Sequence, residues 1–168
     1  MMYRIEKVLN HNTVIAIHQD DHKEVLIMGK GVGFGRKVAE RIEVRPEDRL
    51  YSLQKYKERG GAKEIIKSIA PEFLELTNAV LDEAEKVFGK IDRMVLFPLA
   101  DHIAFAVKRI QNHEQISNPL TEDIRVLFHM EFKVAESIRP LLKKQFQLDI
   151  EDDEIGYVAL HIHSAIED

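Results

Sequence analysis

The run Met28-Gly29-Lys30-Gly31-Val32-Gly33-Phe34-Gly35-Arg36-Lys37 decides how the first third of the chain is read. Four glycines alternate with Lys30, Val32 and Phe34, and two cations close the run. Glycine at every second position makes a bare ribbon that another polymer can approach closely. The cations attract phosphate and the ring offers a face for stacking. Taken alone, the glycines serve equally well as bulges and corners of a short β-barrel. Nucleotide-cofactor motifs fail. A phosphate-binding loop needs G-x-x-x-x-G-K-[ST], whereas Gly35 is followed by Arg36-Lys37-Val38. A dinucleotide fingerprint starting at Gly29 or Gly31 would put Phe34 or Arg36 where its third glycine belongs, and Val38 to Val44 reads as extended chain rather than helix.

Around the glycines lie short β-branched runs separated by turn residues. Lys7-Val8-Leu9-Asn10-His11-Asn12 ends the first. Thr13-Val14-Ile15-Ala16-Ile17 and Glu24-Val25-Leu26-Ile27-Met28 follow, divided by Gln19-Asp20-Asp21-His22, and Arg41–Val44 and Leu50–Leu53 complete a small antiparallel sheet. Amide side chains at one strand end, beside a Lys/Phe/Gly run, suit hydrogen bonding to base edges and sugar hydroxyls.

Composition sets the frame. The chain has 168 residues, 45% hydrophobic and 32% charged, which describes a soluble protein of one or two domains with a real core. No apolar stretch reaches membrane-spanning length and no secretory signal opens the chain, so a cytoplasmic location without membrane insertion is expected. There is no cysteine, which excludes disulfides and thiolate zinc sites. Residues 1–55 carry ten Lys/Arg against eight Asp/Glu, a net of +2 within a whole-chain net of −5. So small a positive charge cannot carry nucleic-acid affinity through phosphates alone. Shape, stacking and base contacts would have to, and a second copy would double the basic surface, which argues for a homodimer.

Near Lys55-Tyr56-Lys57-Glu58-Arg59-Gly60-Gly61 aliphatic residues vanish, and beyond it the hydrophobic period changes from two to about 3.6. The reading is a β domain over 1–55, a linker over 56–62 and an all-helical domain over 63–168. Ile65, Ile66, Ile69, Phe73, Leu76, Val80, Leu81, Ala84 and Val87 form one stripe, with Pro71 as a break or kink. Leu99–Val107 starts a second helix, with Asp101 as N-cap or first-turn residue. Asn118-Pro119 opens a third that runs through Leu120, Ile124, Leu127, Phe128, Val134 and Ile138 until Pro140 perturbs it. Asp152-Asp153-Glu154 opens a last one, acidic where the helix dipole favours it.

Five of the eight histidines fall in the helical domain: His102, His113, His129, His161 and His163. A zinc site is disfavoured, because residues two apart on a helix diverge by roughly 200° and no H-E-x-x-H occurs. His102 and His161 read either as hydrogen-bonded polar residues at helix packing surfaces or as phosphoryl acceptors. A neutral imidazole nitrogen is a competent nucleophile near pH 7, and Asp101 could fix the tautomer of His102.

Two sets of motifs now carry a resemblance across essentially the whole chain. K-V-L-N-x-N over Lys7–Asn12 followed by M-G-K-G-x-G-F-x-x-K over Met28–Lys37 is similar to the RNA-binding domain of the BglG/SacY family of sugar-operon transcriptional antiterminators. Leu99–Ala106 and Glu154–Ile162 resemble the two histidine motifs, close to sixty residues apart, of the regulatory domain that follows it in that family. Overall texture is similar to the glucose-operon branch. The resemblance implies a multi-domain α and β chain: a small antiparallel four-stranded RNA-binding sheet, then an all-α helical bundle regulated by the phosphotransferase system. It implies a dimer that grips a leader-mRNA hairpin and prevents terminator formation, with Lys7, Asn10, Asn12, Gly29, Lys30, Gly31, Phe34 and Arg36 at or near the RNA. His11 stands where the family has a third asparagine. Phosphorylation is implied at His102 and His161, from the sugar-specific permease and the histidine phosphocarrier protein, with no catalysis, cofactor or metal of the chain's own. Family members carry a second regulatory domain, which these 168 residues do not include. An enzyme would instead unite the glycine run and His102 in one pocket, and a pure interaction module would have no RNA affinity.

Overall fold

The β-branched runs become five strands: β1 (Met2–Asn10), β2 (Thr13–His18), β3 (Glu24–Met28), β4 (Arg41–Glu43) and β5 (Arg49–Ser52), in one sheet of order β4-β1-β2-β3-β5. Every pairing is antiparallel. In this computed structural model the described residues are 1–53, 62–114 and 116–166. The strand count corrects the four implied by the family resemblance. The chain between Arg41 and Ser52 cannot be one strand, because Pro46 lacks a donor and Asp48 N turns back to Arg45 O at 3.0 Å. It therefore yields two short strands on opposite edges. On a flat sheet those edges would lie roughly 19 Å apart and about six residues out of step, beyond the ~20 Å reach of the six peptide steps between Glu43 and Arg49. The sheet is accordingly coiled. Tyr3, Ile5, Val14, Ala16, Ile27, Val32 and Ile42 are buried in one cluster with Val8, Val25 and Val44 packed against it.

β1 departs from strict alternation twice. Its register against β2 runs Ile5↔Ala16, Lys7↔Ile15, Val8↔Val14, Asn10↔Thr13, so two bulges each insert one residue. The first returns Val8 to the core side, and the second gives Asn10 the side of Lys7, Thr13 and Ile15.

On that second side α1 (Ala62–Ser68) adds buried Ala62, Ile65 and Ile66, and Lys63 forms an ion pair with Glu24 of β3. Burial, followed by a hydrogen bond with Glu24, raises the Glu6 carboxyl above its ordinary value, while the Lys63 contact holds Glu24 below its own. Residues Met1–Pro71 form one compact unit and Glu72–Asp168 a second. The linker expected over 56–62 lies, apart from Ala62, outside the described residues.

The helical unit is built from α2 (Pro71–Phe88), α3 (Leu96–Gln111), α4 (Thr121–Leu127), α5 (His129–Ala135), α6 (Ile138–Phe146) and α7 (Asp152–Ile166). Pro71 is the break expected, at the first position of α2, where its missing N–H leaves no bond unmade. Asp101 is neither cap nor first-turn residue. A short 3-10 turn over Arg93–Val95, capped by Asp92 Oδ1 accepting from Met94 N at 3.0 Å, starts the helical chain earlier and leaves Asp101 exposed within α3. The single helix expected from Asn118 to Ile138 is instead α4 and α5, then α6. It breaks at Phe128 (φ −122°, ψ 49°), whose ring stacks on His163 with centroids 4.0 Å apart; the bond Phe128 N to Ile124 O closes α4 and Phe132 N to Phe128 O opens α5. The helical run is interrupted just before Pro140, as expected: α5 ends at Ala135 and α6 restarts at Ile138, with Pro140 in its first turn, where no intrahelical donor is needed. Leu74, Leu81, Leu96, Leu99, Ile103, Ile138, Leu142, Ile155 and Ile162 fill the core.

Candidate RNA interface and histidine pair

The glycine run is not an extended ribbon. Successive three-residue bonds, Val32 N to Gly29 O (3.1 Å), Phe34 N to Gly31 O (3.0 Å) and Arg36 N to Gly33 O (3.3 Å), wind it into consecutive turns. Gly31 (φ +72°) supplies the positive φ that the third position of the first turn requires. Winding turns Val32 inward, where it is 8% exposed in the sheet core, and leaves Phe34 outside at 67%. Gly33 lies so close to β1 that a Cβ would fall 2.3 Å from Asn10 O.

The hairpin tip between β1 and β2 holds this coil. Gly33 N donates to His11 O at 2.8 Å, Gly29 N to Asn12 O at 3.0 Å and Gly31 N to Asn12 Oδ1 at 2.8 Å, while Asn10 Oδ1 accepts from Asn12 N at 2.9 Å. Both amide oxygens thus face the backbone, and both Nδ2 groups are left without a partner among the described residues. On the far side Arg45 Nη2 donates to Lys30 O at 2.8 Å and to the buried Asp48 Oδ1 at 2.8 Å. A Cβ on Gly29 would meet that carboxylate oxygen at 1.9 Å. His11 stands edge-on to Phe34, ring centroids 5.0 Å apart.

Of the eight expected residues, Asn10, Asn12, Gly29, Lys30, Gly31 and Phe34 come together in this one cluster. Arg36 belongs to the same coil and pairs with Glu40 at 3.5 Å. Lys7 shares a sheet face with Asn10 but lies apart, lining an open cleft with Lys63 and Lys67 of α1. The sequence reading missed the clasp made by Arg45 and Asp48; the turn-forming Arg45-Pro46-Glu47-Asp48 was its one visible signal. The assembled surface offers a ring for stacking, one flexible cation, amide donors and exposed backbone, the groups that read unpaired bases.

In the helical unit α3 and α7 bring His102 and His161 together, ring centroids 5.3 Å apart. His161 Nδ1 donates to Tyr157 O at 2.9 Å, which leaves the Nε2 lone pair as the nucleophilic site of the neutral ring. Burial, with the nearby His102 charge adding to it, lowers the His161 pKa below its ordinary value despite the carbonyl contact. His102 Nε2 lies 3.3 Å from Glu154 Oε2, and Arg109 Nη2 donates to Glu154 Oε1 at 2.7 Å. The Glu154 side chain is 1% exposed. Burial alone would raise its pKa, but the His102 and Arg109 contacts outweigh burial and hold it below the ordinary carboxylate value. Glu154, on the opposing helix, is therefore the carboxylate that faces His102, close but without hydrogen-bond geometry between Nε2 and Oε2, whereas Asp101 is exposed. The sequence showed Glu154 only as an acidic N-terminal residue of α7 and a motif position, and gave no pairing with Arg109. His163 occupies different surroundings, with Nδ1 2.7 Å from Glu131 Oε2, consistent with the divergence of positions 161 and 163 on a helix.

Comparison with known proteins matches both units. The model of the CAT RNA binding domain covers residues 3–60 and that of the PRD domain residues 75–165. A GlcA/glcB genes antiterminator from Staphylococcus carnosus is 32% identical over 99% of this chain and 58% of that protein, and a protein GlcT from Staphylococcus epidermidis is 29% identical over 96% and 57%. The chain thus spans less than three-fifths of the length of these relatives. A crystal structure of GlcT CAT-PRDI superposes over the full length of both chains with a TM-score of 0.82 at 31% identity. With a coiled RNA-binding sheet ahead of a helical unit that pairs two histidines, the chain belongs to the BglG/SacY family of transcriptional antiterminators.

Proposed function

We propose that the chain, as a homodimer, binds a leader-mRNA hairpin of a sugar-utilisation operon of the glucose branch and so prevents the overlapping terminator from forming. The β domain of residues 1–55 reads the RNA through Lys7, Asn10, Asn12, Gly29, Lys30, Gly31, Phe34 and Arg36. Phe34 stacks on a base of the loop or bulge, and the Nδ2 groups of Asn10 and Asn12 donate to base or sugar oxygens. The observation that carries this reading is the hydrogen-bonded coil that holds an exposed phenylalanine ring beside amide donors. Two such surfaces in a dimer offset the weak net charge of each.

The helical domain of 63–168 receives phosphate from the permease of the phosphotransferase system or the histidine phosphocarrier protein. A neutral ring nitrogen of His102 or His161 attacks the donor's phosphorus, an N–P bond forms, and the donor's own bond to phosphorus breaks. The product carries a charge of roughly −1.5 to −2, by analogy with phosphorylated hydroxyl residues. Next to buried Glu154 this charge is repelled and competes for Arg109, so the α3–α7 packing changes and RNA affinity changes with it. The chain is a cytoplasmic regulator and a substrate of the relay, without catalysis of its own. No helix among the described residues is long and apolar enough to cross a membrane.

Titration of the chain against a panel of candidate leader hairpins tests the RNA claim. Phe34→Ala and Asn10→Ala should weaken binding at least about tenfold, the effect of one lost stack or base contact. Unchanged affinity in both would show the assigned face to be wrong, and no binding to any hairpin favours an interaction module. Phosphorelay components with labelled phosphoenolpyruvate should label His102 or His161, and label persisting in the double alanine variant would remove that assignment.

A further inference from the structure

Two buried polar atoms face each other between α3 and α7, and neither has a hydrogen bond: His102 Nε2 and Glu154 Oε2, 3.3 Å apart. Glu154 is held in place by Arg109, whose Nη2 lies 2.7 Å from Oε1, and its side chain is 1% exposed. The His102 ring is 22% exposed and packs against Tyr157 and His161, with centroids 5.8 Å and 5.3 Å away. Its Nδ1, unlike Nε2, is not shut off from solvent, and it has no partner among the described residues.

A buried carboxylate oxygen without a donor is costly, and a ring nitrogen beside it lowers that cost only by carrying a proton. The opposite tautomer would set a nitrogen lone pair against an anionic oxygen. Charge therefore keeps the proton of neutral His102 on Nε2 and leaves the lone pair on Nδ1. His161 is arranged the other way round. Its Nδ1 lies 2.9 Å from Tyr157 O, which can only accept, so the proton sits there and the lone pair is on Nε2. Burial lowers the pKa of His161 and so favours its neutral ring.

We propose that the two histidines accept phosphate through different ring atoms, His102 through Nδ1 and His161 through Nε2. This assignment rests on the phosphorylation reading above and adds the reacting atom at each site. At His102 the Nδ1 lone pair attacks phosphorus, the N–P bond forms, and the donor's bond to phosphorus breaks with its electron pair leaving on the donor. No proton moves: Nε2 keeps its hydrogen, the ring becomes a cation, and Glu154 Oε2 faces that charge at 3.3 Å. Attack through Nε2 would instead press the phosphoryl oxygens against a buried anionic oxygen. At His161 the Nε2 lone pair attacks in the same way, and the Nδ1 hydrogen stays on Tyr157 O. The two marks are thus different phosphohistidine isomers on neighbouring rings.

Two measurements test it. Two-bond 1H–15N correlation spectra of the unmodified chain, labelled at its histidines and held near neutral pH, read the tautomers without any variant. His102 should carry its proton on Nε2 and His161 on Nδ1, each at least about fivefold over the other tautomer, the ratio that one net hydrogen bond or its electrostatic equivalent sustains. After phosphorylation by relay components with labelled phosphoenolpyruvate, the chain is isolated and its phosphohistidine isomers are separated at early times. His161→Gln should yield the Nδ1 isomer and His102→Gln the Nε2 isomer. The Nε2 isomer at His102, or a proton on Nδ1 in its unmodified ring, would overturn the assignment while leaving phosphorylation in place. A chain that takes no label at either histidine would end the phosphorylation reading and this assignment with it.

Discussion

Gly31 and Gly33 lie two residues apart in one coil, yet alanine should affect them very differently. Gly31 has φ +72° and nothing within 4 Å of its would-be Cβ, so Gly31→Ala meets only the left-handed backbone penalty. That penalty is about 1–2 kcal/mol, partly offset by about 0.4–1 kcal/mol from a less flexible unfolded chain. Gly33 has no positive φ, but its added carbon would fall 2.3 Å from Asn10 O and 3.2 Å from methyl carbons of both Val8 and Val14. Relief requires the coil to retreat by about 1 Å, since ordinary carbon–oxygen contact is about 3.3 Å. Retreat breaks the Gly33 N to His11 O bond, worth about 1 kcal/mol net, and pulls Val32 from the core, worth about 1.5 kcal/mol or more. The expected loss for Gly33→Ala is about 3 kcal/mol, against about 1 kcal/mol or less for Gly31→Ala. Amide hydrogen exchange of β2 and of residues 29–36 measures both locally, without assuming that the two units unfold together. Equal protection in the two variants would refute the close approach on which the coil depends.

Three further outcomes are expected. Glu154→Gln keeps the side-chain shape but leaves Arg109 without its charged partner, so thermal and urea melts should show a loss of about 2–4 kcal/mol. The same variant should alter the pH profile of His102 labelling, because the contact at Nε2 changes. His161 and Glu154 both have depressed values in the fold, so each contributes stability that is complete above its ordinary value, 6.5 and 4.5 respectively, and is lost as pH falls through the lower folded value. Melts from pH 7 to pH 4 should therefore weaken first below about 6.5, and His161→Gln should flatten that first step. Asn12→Ala removes the acceptor for Gly31 N and should cost about 1 kcal/mol, with faster exchange at the Gly31 amide, even in the absence of RNA.

The β-branched runs between Thr13 and Met28 announced their strands, because side chains alternating across a half-buried sheet leave a period of two in the sequence. Pro71 likewise declared the start of α2 through its missing donor. What the chain did not announce was anything decided by contacts far along it. The glycine run reads as an extended ribbon by composition, yet it winds into turns because Asn12 and His11, some twenty residues earlier, accept its amides. Phe128 fits a continuous helical stripe, and the break there accompanies a stack on His163, thirty-five residues on. The two motif histidines were legible as a pair, but Asp101 was the carboxylate next in sequence, while the one that reaches His102 comes from α7. Arg109 gave no local signal at all, since its partner is forty-five residues away.

The paired bulges in β1 bear on how such a protein can diverge. In an uninterrupted strand, each residue's side of the sheet is dictated by every residue before it, so altering the tip disturbs the interior. Here Tyr3 and Ile5 are anchored before the first irregularity, and Asn10 follows the second. The last residues of the strand and the hairpin beyond it form an edge whose exposed side chains, His11 first, can change with the hydrophobic foundation left as it was, provided Asn12 keeps its hold on the Gly31 amide.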